Sequence, residues 1–126
     1  APGIQTDVLN AMNNDRAANG LGALAWNQTL GNNAAAWASH LSTAGSGLVH
    51  QDLGNLLNND PAFASFSTLG ENLLVGPSTM SAGEMETSWM NSSSHRANIL
   101  RGAFTIAGVG TATSGDKIWV AVEFGA

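Results

Sequence analysis

Three histidines and four glutamates are the side chains best suited to chemistry near neutral pH, and one of them has an unusual setting. Glu71 lies in Leu69-Gly70-Glu71-Asn72-Leu73-Leu74, an apolar run of strand length. A carboxylate there is expensive to bury unless it is paired or well hydrogen-bonded. Imidazoles are its natural partners. His50 follows Leu48-Val49 and His95 follows Ser92 to Ser94, so both can turn inward from loops. His40 lies three residues after Trp37, at the edge of a helical stripe, and reads as an ordinary boundary histidine.

Other routes to catalysis are missing. His-Glu-x-x-His, Gly-x-Ser-x-Gly and a Walker loop do not occur. The chain has no cysteine, which excludes a thiolate nucleophile, a disulfide framework and Cys-ligated metals. Adjacent residues on a helix diverge by about 100°, so Ser94 and His95 do not form a Ser–His pair. The serines read instead as a polar N-cap cluster. Gly45-Ser46-Gly47 reads as a helix stop rather than a phosphate loop.

Those residues need a frame. Thr6 can cap a first helix carrying Asp7, Val8, Leu9 and Met12, which Asn19-Gly20 should stop. Asn27 can cap a second helix, whose stripe of Leu30, Ala34, Trp37, Ala38 and Leu41 is the clearest helical signal in the chain. From Leu48 to Thr68 the pattern is irregular, with a turn at Asn58 to Pro61. Leu73 to Val75 reads as a strand or an extended buried segment. Ser81 and Glu84 have capping-box spacing before a third helix with Met85, Trp89 and Met90. A short helical turn follows from His95 to Leu100. The runs Ile106–Thr113 and Lys117–Phe124 flank Ser114-Gly115-Asp116 and predict a hairpin. Helices first and a hairpin last indicate an α+β fold in one domain spanning residues 1–126.

Composition narrows the partners. The 126 residues are 44% hydrophobic and only 10% charged, with net charge −5. Arg16, Arg96, Arg101 and Lys117 are scattered, so no basic groove exists for nucleic acid and no patch for an anionic membrane. No apolar run approaches the roughly 18 residues of a membrane span. The start at Ala1-Pro2-Gly3, without Met, and the scarcity of Lys fit an exported, extracellular protein.

The ordered motifs resemble the CAP superfamily, or SCP domain family, in its short cysteine-free bacterial form. They are Asn13-Asn14-Asp15-Arg16, Leu24-Ala25-Trp26-Asn27, Ala34 to Ala38, Gly70-Glu71-Asn72-Leu73, Trp89, His95-Arg96-Ala97-Asn98-Ile99-Leu100, Gly108-Val109-Gly110 and Trp119 to Phe124. The resemblance implies a three-layer α-β-α sandwich around a small antiparallel sheet. It also implies a cleft lined by His50, Glu71 and His95. A second acid that many relatives carry three residues after the helix Trp is replaced here by Ser92. Two imidazoles and a carboxylate can hold a divalent ion such as zinc, with Glu71 as third ligand or as hydrogen-bond partner, although no cofactor is required.

Three functions compete. The first is a monomeric extracellular binding module for a small-molecule, lipid-like or cell-envelope ligand. The second is a metal-dependent, peptidase-like hydrolase using Glu71, His50 and His95. The third is a scaffold that recognises partners through loops. The missing second acid and nucleophile motif favour binding over catalysis.

Overall fold

The computed structural model describes residues 3–126; Ala1 and Pro2, whose presence suggested processing, lie outside the described residues. Helix α1 (Ile4–Ala18) begins earlier than the Thr6 cap predicts. Ile4 lies one turn before Val8 and packs on the same apolar cluster, so the stripe extends back to an extended Gly3. The stop is where Asn19-Gly20 places it, with Gly20 at φ 75°. A two-residue strand β1 (Ala25–Trp26) follows, which periodicity cannot reveal.

Asn27 caps α2 (Gln28–Ala44) by accepting from the Leu30 amide, and Gly45 ends it in the left-handed conformation. Within the irregular stretch lie α3 (Leu53–Asn59) and a 3-10 turn at Pro61–Phe63. Helix α3 buries no residue, so it has no apolar stripe to betray it; Asp52 starts it by accepting from the Asn55 amide. Next come β2 (Leu69–Pro77), α4 (Ala82–Met90), α5 (Ser93–Ile99), and the hairpin β3 (Ile106–Ser114) and β4 (Lys117–Gly125). Helix α4 has both halves of its capping box, Ser81 with Glu84.

The sheet order is β1-β3-β4-β2, antiparallel except for the β1–β3 pair. Alternation along β4 divides the core. Val120, Val122 and Phe124 join Val8, Met12, Met85, Trp89 and Phe104 under α1 and α4. Ala121 joins Ala34, Ala38, Leu41 and Leu73 under α2, with Trp37 and Trp119 against them. This is the α-β-α sandwich, an α+β fold. Helix α2 lies unusually close to β3. A Cβ on Gly108 would overlap the backbone of Leu30 and Gly31, and one on Gly110 that of Ala34 and Ala35. Those two glycines set the depth of the α2 layer, and with it the position of the segment after α2.

Candidate functional site

Glu71 is the centre of the polar cluster. It stands on the α2 face of β2, in register with Glu123 on β4 and Gly108 on β3. Its side chain is only 1% exposed. Three donors meet its two oxygens. The Gln51 amide donates to Oε1 at 3.0 Å, the Gln51 side chain donates to Oε2 at 3.0 Å, and His50 Nδ1 lies 2.8 Å from Oε1. Gln51 is itself clamped to Asn33 of α2, exchanging bonds of 2.6 and 3.1 Å, and the Trp37 indole donates to the Val49 carbonyl at 2.9 Å. The loop bearing His50 is therefore laced to α2. The His50 side chain remains 60% exposed.

Glu123 is the second carboxylate of the site. It is 2% exposed, and the Gln51 side chain reaches its Oε2 at 3.3 Å. Burial pushes its carboxyl well above the usual range, and the neighbouring Glu71 pushes it further. Two adjacent buried carboxylates resist ionising together, which is the cause of that direction.

His95 comes from the other direction. On the opposite face of β2, buried Asn72 donates to the His95 carbonyl at 3.0 Å, while Asn98 of α5 donates to Asn72 Oδ1 at 2.9 Å and to the Glu71 carbonyl at 3.2 Å. The buried Trp89 indole donates to the Leu73 carbonyl at 3.1 Å. These bonds occupy carbonyls on the free edge of β2 and fasten α5 beside it. Gly70 is required because a Cβ there would lie 2.6 Å from Phe104 Cζ. The imidazole is half-buried, with Nδ1 2.9 Å from Ser92 Oγ. Burial lowers its pKa below the ordinary imidazole range, and charge on His50 lowers it further. Ser92 occupies the N-cap position but makes no side-chain cap; its hydroxyl serves His95 instead of the helix end, which corrects the capping expectation for that residue.

The structure thus joins His50 to Glu71 directly and holds His95 near enough to His50 for their charges to interact. Glu71 lies beneath the surface rather than lining it. Neither imidazole has a protein partner on Nε2 among the described residues. Both rings are fixed through Nδ1, the kind of second partner that orients metal-binding histidines, and Nε2 is left for any further contact. No three His, Asp or Glu side chains converge as a metal-holding group among the described residues. His40 is exposed and stacks on Trp37 at 4.8 Å, apart from this chemistry. Surface cavities of about 650 Å³ along α4 (Met80, Glu84, Thr87, Asn91) and about 310 Å³ at Val75, Pro77 and Lys117 contain none of the cluster. Sequence reasoning missed Glu123 and Gln51 as members. Glu123 carried the same signal as Glu71, a carboxylate set between Val122 and Phe124 in an apolar strand.

An α-β-α sandwich with this Glu–His cluster at its free sheet edge defines a class. The chain belongs to the cysteine-rich secretory protein family, CAP, whose model matches residues 9–124. The uncharacterized protein YkwD of Bacillus subtilis is 47% identical over 55 residues, a match spanning 44% of this chain and 20% of YkwD. An outer surface protein of Borrelia burgdorferi has a similar structure, with TM-score 0.78 and 21% identity over 94% of this chain and 88% of its own. An extracellular SCP-domain protein of Bacillus anthracis has TM-score 0.72 and 24% identity over 95% of this chain and 39% of its own. These two likenesses are of fold. No helix among the described residues is long and apolar enough to cross a membrane.

Proposed function

We propose that this domain is an extracellular binding module, with His50 and His95 presented to a small-molecule, lipid-like or cell-envelope ligand. The observation that carries the reading is the saturation of Glu71. Its buried oxygens are taken by Gln51 and His50, so it orients an imidazole and is not free to activate water. Exposed Leu48 and Val49 (45% and 46%) put apolar surface immediately before His50 in the chain, and a binding site needs such walls beside a few placed polar groups. The neighbours described as outer-surface and extracellular support placement outside the cell.

A metal reading is favoured by the paired, Nδ1-fixed imidazoles. His50 and His95 would hold a divalent ion such as zinc, which would supply a Lewis acid for a ligand oxygen. Calorimetry should then find one zinc site lost in either His→Ala variant, weakening as pH falls below the ordinary imidazole range, where His95 takes up a proton. Binding is tested by incubating the protein and its His50→Ala variant with lipid and envelope extracts and identifying what is retained. Retention of a compound class by the first and not by the second is expected. Turnover of peptide, ester or peptidoglycan substrates that vanishes in folded Glu71→Gln and His95→Ala would make the hydrolase reading primary.

A further inference from the structure

We propose that Trp26 is the stacking plate of a second ligand site, one that takes a pyranose ring of a neutral glycan. Trp26 is 39% exposed, unusual for so large an apolar side chain. It is held as a flat surface rather than left loose. Strand β1 is fixed on both sides of it, by the Ala25 amide on the Thr105 carbonyl at 3.0 Å and the Asn27 amide on the Ala107 carbonyl at 2.9 Å. The indole lies against Gly31 in the first turn of α2, where a Cβ would come within 2.6 Å of Cζ2. Glycine is a poor helix former beside alanine, and here its absent side chain is what lets the ring lie flush. The indole Nε1 donates to Gln28 Oε1 at 3.1 Å, and Gln28 in turn donates to Asn32 Oδ1 at 2.8 Å.

The result is a rigid aromatic surface with two exposed amide side chains at its rim. A sugar ring matches it: the axial C–H groups of one face suit the indole, and hydroxyl or acetamido groups suit the amides. Charge selects the same ligand. Between Arg16 and Asp52 the chain has no Asp, Glu, Lys or Arg, so β1 and the first turn of α2, which build the plate, carry no ionic side chain of their own to recognise a charged ligand. Because the plate is already ordered, binding freezes little of the protein. The site shares no residue with the His50 cluster and stands independently of what that cluster binds.

The test is a ¹⁵N NMR titration with chitotetraose and cellotetraose, reading the four indole signals and the Gln28 and Asn32 amides. Those of Trp26, Gln28 and Asn32 should move together with Kd on the order of 1 mM, as expected for one small contact surface. Trp26→Ala should weaken this at least tenfold. Should that variant not fold, Gly31→Ala, which displaces the ring, and Asn32→Ala should each weaken binding about threefold. Response to chitotetraose alone would narrow the ligand to acetamido sugars. A stationary Trp26 signal at about 10 mM saccharide, shifts centred on His50 that persist in Trp26→Ala, or shifts that follow protein concentration without sugar would each overturn the proposal.

Discussion

Acid is buried on both sides of the sheet, on strands β2 and β4 under α2 and on helix α4 beyond the other face, and the two sides treat it differently. Under α2, Glu71 and Glu123 are supplied with donors from Gln51 and His50, and Gln51 is braced in turn by Asn33. Between α1 and α4, Glu86 is 5% exposed and neither of its oxygens has a hydrogen-bond partner. Burial raises its pKa to about 9, and Asp15 of α1 contributes to the rise. The contrast separates a carboxylate that organises a site from one that only burdens the fold. The first kind is costly to remove; the second is costly to keep.

Removing Glu71 should have the largest effect. Glu71→Ala strands the Gln51 amide, the Gln51 side chain and the Glu123 acid together. A buried group left without a partner costs about 1–3 kcal/mol, so the loss should reach about 3 kcal/mol. His50→Ala removes a partner that is largely in solvent and should cost less than about 1 kcal/mol. Urea melts of the two variants decide this. Equal midpoints would mean that Glu71 does not hold the cluster together.

Glu86 should respond in the opposite direction. Its folded pKa lies above its unfolded value, so its contribution is fully present below about pH 4.5 and declines as pH rises through about 9. Glu86→Met, similar in shape and without charge, should match the parent near pH 4 and exceed it progressively up to pH 9. The full rise bounds the gain at pH 9 at about 6 kcal/mol, and at least about 2 kcal/mol of it is expected, roughly 8 °C or more in Tm for a chain of this size. Thermal melts at pH 4, 7 and 9 provide the check; a constant difference at all three would show that Glu86 does not titrate in this way.

These sites were unequally legible in the sequence. Glu71 and its His50 partner could be read because a carboxylate in an apolar strand demands a donor, and the strand, hairpin and α2 stripe are strong local patterns. Asn27 and the Ser81–Glu84 box were readable because capping is chemistry among near neighbours in the chain. Gln51 was not, since an exposed-looking polar residue in an irregular loop gives no hint that Asn33 and Glu71 converge on it. Nor was the pairing of Glu123 with Glu71, although Glu123's own apolar setting was on view. Counting from Trp89 leads to Ser92, whereas the register of β2 on β4 delivers Glu123, and register is a property of long-range pairing. Buried Arg16 illustrates the same limit: it donates to the carbonyls of Gly22, Ile99, Arg101 and Phe104, all but the first more than 80 residues away.

The smallest effect tests the proton between the two β-strand acids. If Glu123 is protonated and donates to Glu71, an amide N–H can take over that donation. Glu123→Gln should then match the parent within about 0.5 kcal/mol near pH 4, where the carboxyl is protonated folded and unfolded alike. Its advantage should grow as pH rises through the ordinary carboxylate range, because there the unfolded parent ionises while the raised folded carboxyl does not. Melts of both proteins at pH 4, 5.5 and 7 read this; a difference that stays constant across them would show that Glu123 does not hold its proton in the fold. Glu123→Ala adds the control: it keeps no donor for Glu71, so it should be about 1–2 kcal/mol less stable than Glu123→Gln at every pH.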